Sequence, residues 1–140
     1  MTEDIMTITF GGGKRVDVQA GDFVLRTDQS RAHGGDESAP EPFTLFLASL
    51  ASCAAIYVKA FCDARQIPTG EIKMRQINRF EEGKLAHVRL EIDLPKDFPA
   101  KYVESVKFAA AGCRVKRTLA APPEIEVHAT RASEEQNAHA

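Results

Sequence analysis

Sixteen consecutive residues, Phe43 to Val58, carry no charge, and their polar members (Thr44, Ser49, Ser52) are small apart from Tyr57. A helix apolar nearly all round is either buried in a core or spans a bilayer. The run falls short of the roughly 20 residues a bilayer needs, and its alanines and serines dilute the hydrophobicity, so a buried core helix is expected. Pro42 suits the first helical turn, where its missing N–H has no intrahelical partner in any case. Ile67-Pro68-Thr69-Gly70 stops the helix after about Gln66. A single sheet from a chain of this length does not easily wrap such a helix, which raises the expectation of a second subunit.

Shorter periods lie on either side. Thr7 to Phe10, Lys14 to Val18 and Phe23 to Arg26 alternate as β-strands, broken by Gly11-Gly12-Gly13 and Ala20-Gly21-Asp22. The glycine run lacks the GK[ST] ending and following helix of a phosphate loop, so a hairpin turn is expected there. Thr27 to Pro42 is rich in Gly, Asp, Ser and Pro and reads as a loop. After the helix, Glu71 to Glu82 and Lys84 to Leu94 form a hairpin about Glu82-Gly83, with Val88, Leu90, Ile92 and Leu94 on one face. Pro99 opens a second helix, with Asp97 as a candidate cap and Tyr102, Val103, Val106, Phe108 and Ala109 or Ala110 at helical spacing. Ala110-Ala111-Gly112 interrupts it, Cys113 restarts a short helix to Leu119, and Pro122-Pro123 ends that. Glu124 to Thr130 reads as a final strand with Ile125 and Val127 on one side, and Arg131 to Ala140 as a frayed polar tail. The order β-β-β-α-β-β-α-α-β is an α+β pattern, one domain over residues 1–140 with its core in about 7–130.

Composition narrows the partners. A net charge of −2 gives no reason to expect nucleic acid or an anionic membrane. The start, MTEDIMTITF, is acidic where a signal peptide is basic, so a cytoplasmic chain with reduced thiols is expected. Three cysteines without CxxC or CxxH argue against a disulfide framework and a zinc site, and four scattered histidines suggest no metal ligand set.

The cysteines remain to be weighed. A lone helix cysteine is most often a small buried hydrophobe. Cys113 follows a glycine at an expected helix start, with Arg114, Lys116 and Arg117 adding positive potential, although such a cluster is commonly a solvated face. Cys53 and Cys62 are nine residues apart, roughly 180° around a helix, and cannot share one site within a chain; Cys62 reads as structural. A thiolate at Cys53 needs a nearby cation, because burial alone raises a thiol pKa; Lys14, Arg15, Arg26 and Arg31 precede the helix, and spacing does not choose among them.

The segments PFTLFLASLASCAAIYV and AAAGCRVKRTLAAPPEIEV, in this order of elements, resemble the OsmC/Ohr family of thiol peroxidases over about Thr7 to Thr130. The resemblance implies an intertwined homodimer, with antiparallel sheets from both chains wrapped around two long central helices. It further implies that Cys53 is peroxidatic towards small organic hydroperoxides and Cys113 resolving. No bound cofactor is then needed, and an external dithiol or lipoyl-type reductant completes the cycle. The family's usual glutamate, nine or ten residues before the first cysteine, is Thr44 or Phe43 here. Glu41 and Arg15 are the nearest candidates for the activating carboxylate and guanidinium. Arg-Val-Lys also replaces the more usual Pro-Val-Ser after the second cysteine. These departures keep open a second expectation, a non-peroxidatic dimer of the same fold that binds a small hydrophobic or thiol-reactive ligand.

Overall fold

A computed structural model describes residues 1–133; the expected polar tail lies outside them from residue 134 onward. Three strands come first: β1 (Met6–Phe10), β2 (Val16–Ala20) and β3 (Phe23–Thr27), an antiparallel meander. The second begins later than its alternation suggests. Gly11 N–H bonds to Arg15 O at 3.0 Å and Arg15 N–H to Gly12 O at 3.2 Å, so Lys14 and Arg15 belong to the turn.

Register makes this sheet one-sided. Ile8 faces Val18, which faces Leu25; Met6, Ala20 and Phe23 line up in the same way, as do Phe10, Val16 and Thr27. Directly opposed residues share a face, so this face is apolar apart from Thr27. Thr7, Thr9, Asp17, Gln19 and Arg26 lie on the other. The apolar face is bare: Phe10 is 82% and Phe23 74% exposed, and the sheet makes no substantial packing contact with another element.

Helix α1 (Pro42–Ala64) begins with Pro42 at its first position, as expected. It ends with Gln66 in the left-handed region (φ 57°), where Gln66 N–H bonds to Asp63 O and Ile67 N–H to Cys62 O. That is the Schellman arrangement, which satisfies carbonyls left open at the helix end. The hairpin of β4 (Lys73–Glu81) and β5 (Lys84–Asp93) turns through Glu82 and Gly83, both at positive φ (51° and 76°), a two-residue type I′ geometry that suits strand twist. A 3-10 turn at Ala100–Tyr102 leads to α2 (Val103–Ala111), and α3 is Arg114–Ala120. Pro99, not Asp97, occupies the cap of that turn, with no side-chain cap.

The core lies where α1, α2, α3 and the β4-β5 hairpin meet. Leu50, Ala54, Val58 and Cys62 form one stripe of α1 at four-residue spacing and are buried with Phe98, Val106, Ala110 and Cys113. Val88, Leu90, Ile92 and Leu94 pack against this cluster from the hairpin, the face expected of them.

Three expectations need correction. Within one chain α1 is buried on one stripe, not all round: Ile56 is 65% exposed. At 23 residues the helix is also, by length and composition alone, long and apolar enough to cross a bilayer. Phe108 is exposed, because it stands two residues from buried Val106, roughly 200° around α2. Glu124 to Thr130 forms no strand; it pairs with no strand among the described residues, and Ile125 and Val127 are exposed. A compact monomer of 15.3 kDa exposes about 7,100 Å², yet this chain exposes 11515 Å². The bare sheet and the extended end both contribute to that excess.

Candidate active site

Cys53 sits midway along α1, half-buried, one position off the stripe that packs on α2. Cys113 is fully buried at the junction of α2 and α3 and is the N-cap residue of α3, its Sγ accepting from Lys116 N–H at 3.4 Å. Both cysteines are therefore placed on one core cluster, Cys113 as a member and Cys53 packed against it. Cys62 lies further along the buried stripe. Burial, with the Asp63 charge adding to it, pushes its thiol up, which favours the protonated, less nucleophilic form.

Tyr57 and Arg117 connect the elements on which the cysteines stand. Arg117 Nη2 donates to Tyr57 Oη at 2.9 Å, linking α3 to α1. Tyr57 is one turn after Cys53, and Arg117 one turn after Cys113. The sequence signal for Tyr57 was its place as the one large polar residue in the uncharged run. In sequence Arg117 is only part of a basic face; its bond to α1 depends on how the helices pack and has no signature in spacing.

Arg15 and Glu41 lie elsewhere within the chain. Arg15 is in the β1–β2 turn, where its Nε donates to Gly12 O at 3.3 Å. Glu41 is the residue before α1 and accepts from Ser30 N–H and from His33 Nδ1, each at 3.1 Å. Bonds from Ser30, then from His33, hold its carboxyl below the usual carboxylate range. Twelve residues of helical rise place Glu41 about 18 Å along the axis from Cys53. Neither reaches Cys53 of its own chain.

An apolar groove of about 410 Å³ lies between Leu50 of α1, Leu90 of β5 and Leu119 of α3, with Lys107 and Lys116 also lining it; neither Cys53 nor Cys113 is among its lining residues. Among the described residues no three His, Cys, Asp or Glu side chains group to hold a metal ion.

Packed helices bring Cys53 and Cys113 to one core cluster in an α+β frame. The model of the family described as OsmC-like protein matches residues 34–128, and the chain belongs to that family. Its fold is similar to that of an osmotic stress induced and detoxification response protein from Psychrobacter arcticus 273-4 (TM-score 0.69, 17% identity, 84% of this chain and 89% of that one). It is also similar to an OsmC like protein from Mycoplasma pneumoniae (TM-score 0.67, 13% identity, 86% and 89%). An organic hydroperoxide resistance protein OsmC from Legionella pneumophila matches with TM-score 0.55 and 18% identity, over 85% and 90%. At these identities the structures speak for the fold alone. No curated protein matches the chain.

Proposed function

We propose that this protein is a thiol-dependent peroxidase that reduces small organic hydroperoxides, working as a homodimer in the reducing cytoplasm. The observation that carries the reading is the placement of Cys53 and Cys113 on a single core cluster by α1 and α3. Cys53 as thiolate attacks the terminal peroxide oxygen; the O–O bond breaks, the alcohol leaves with a proton, and Cys53 becomes a sulfenic acid. The Cys113 thiol then condenses with it, releasing water and forming a disulfide. An external dithiol, of lipoyl type, returns both cysteines to thiols by exchange. The name of the Legionella protein, with its organic hydroperoxide resistance, supports the substrate class.

The bare apolar face of β1-β2-β3 and the exposed side of α1 support the dimer, because a sheet patterned on one face needs cover for it. A second copy is also the available source of a guanidinium and carboxylate at Cys53, since Arg15 and Glu41 do not reach it within the chain. The groove of about 410 Å³ favours one second reading, a dimer that binds a small apolar ligand without turning it over.

One titration separates the two. Reduced protein receives one equivalent of cumene hydroperoxide, free thiols are counted after denaturation, and any disulfide is mapped. A fall from three thiols to one, with a Cys53–Cys113 bridge, is expected for the peroxidase. Three surviving thiols with unreduced peroxide would replace it with the ligand-binding reading.

A further inference from the structure

We infer that the Tyr57–Arg117 hydrogen bond is a clasp that holds Cys113 in position for disulfide closure with Cys53, making both positioning residues of the proposed reaction. The inference rests on that reading. Its basis is a paired spacing: each partner of the bond stands four residues after one of the two cysteines, on the two helices that carry them. Residues four apart on a helix share a face, one turn apart. A side chain on a helix leans back over the turn before its own Cα, so the Tyr57 ring is directed towards the turn of Cys53. The bond therefore ties α1 to α3 one turn from each sulfur.

Little else holds α3 there. It has seven residues, packs on α1, and is followed from Ala121 by chain without regular structure. Val115 packs on the core, but Arg117–Tyr57 is the one side-chain hydrogen bond between α1 and α3 among the described residues. Opening it lets the end of α3 move away from α1, with Gly112 and Cys113 as the joint. A disulfide needs Cα atoms about 4.4–6.8 Å apart, so a looser α3 spends less time within closing distance.

Closure is a loss of water between the Cys53 sulfenic acid and the Cys113 thiol after peroxide. With oxidised dithiothreitol it is instead a two-electron exchange that yields the protein disulfide and reduced dithiothreitol. Tyr57→Phe, Arg117→Ala and Arg117→Lys are compared with the unaltered protein by two readouts. One is the rate of disulfide closure after one equivalent of cumene hydroperoxide, against the rate of sulfenic acid formation trapped with dimedone. The other is the disulfide–dithiol equilibrium in dithiothreitol buffers. Tyr57→Phe and Arg117→Ala are expected to slow closure and to shift the equilibrium towards the dithiol by about fivefold each, the size of one modest hydrogen bond. Sulfenic acid formation should stay unchanged, and Arg117→Lys, which keeps a cationic donor, should recover part of both losses. Closure and equilibrium equal to those of the unaltered protein in Tyr57→Phe and Arg117→Ala, or faster closure, would overturn the clasp alone. An unaltered protein that forms no Cys53–Cys113 disulfide with either oxidant would overturn the clasp and the peroxidase reading together.

Discussion

Ser38 donates twice to the Asp28 carboxylate, through its hydroxyl at 2.6 Å and its backbone N–H at 3.0 Å. Gln29 N–H adds a third bond at 2.7 Å, and Asp28 has no exposed surface. This closes the loop between β3 and α1 into a fixed entry for the helix that carries Cys53. The Ser38 bonds hold the carboxyl down at about 2. A depressed carboxylate stabilises the fold above its unfolded value, about 3.9, and that stability is lost as pH falls through the folded value. Acid unfolding followed by circular dichroism should therefore show a loss between about pH 4 and pH 2, and Ser38→Ala should remove part of it.

The same loop has no room at Gly35. A Cβ built there overlaps Gln29 O and lies 2.8 Å from Asp28 Oδ1, both fixed by the loop's own bonds. Gly35→Ala is expected to destabilise by about 1–3 kcal/mol in chemical denaturation, as overpacking does.

Gln66 supplies the opposite case. It holds the left-handed position of the α1 C-terminus, which glycine occupies without a Cβ penalty. Gln66→Gly should raise stability by about 1 kcal/mol and leave the thiol count after peroxide unchanged.

The raised thiol of Cys62 makes stability fall at alkaline pH. Above the ordinary thiol value the unfolded chain releases this proton while the folded chain keeps it, so stability drops as pH rises, by at most about 1.4 kcal/mol per pH unit. Cys62→Ala should flatten that slope in denaturant titrations from pH 8 upward (about half a unit below the free thiol value). Native Cys62 should also label with iodoacetamide far more slowly than Cys53.

The one-sided sheet gives the proposed dimer its own test. Ile8→Lys puts a charge at the centre of the apolar face, opposite Val18. Sedimentation velocity should show a dimer for the unaltered chain and predominantly monomer for this variant. Equal dimer strength in both would place the interface elsewhere.

The sequence carried the fold where pattern and local chemistry coincide. Pro42 marked the start of α1, Glu82-Gly83 the tight turn, and Val88, Leu90 and Ile92 the packed face of β5, because each depends on local spacing or backbone preference. Ile125 and Val127 alternate as a strand would, but a strand also needs a neighbour to bond, and alternation does not say where that neighbour is. Phe108 misled for a related reason: loose spacing admitted a residue on the far side of α2. At the site, the cysteines were legible through the motifs around them. The Tyr57–Arg117 bond joins residues sixty positions apart, and only the packing of α3 on α1 brings them together.

The bare face of β1-β2-β3 also bears on how the chain is made. Its strands end at Thr27, well before α1 begins at Pro42, so synthesis delivers a complete apolar surface before any of the helical core exists. During that interval the nascent segment is open to adhesion with its own kind, the usual hazard of unburied hydrophobic surface. For the proposed dimer, dilution acts in the same direction after release, because a fold completed by a second copy loses stability as its concentration falls. For such a dimer the amount of protein in the cell is one of the determinants of its structure.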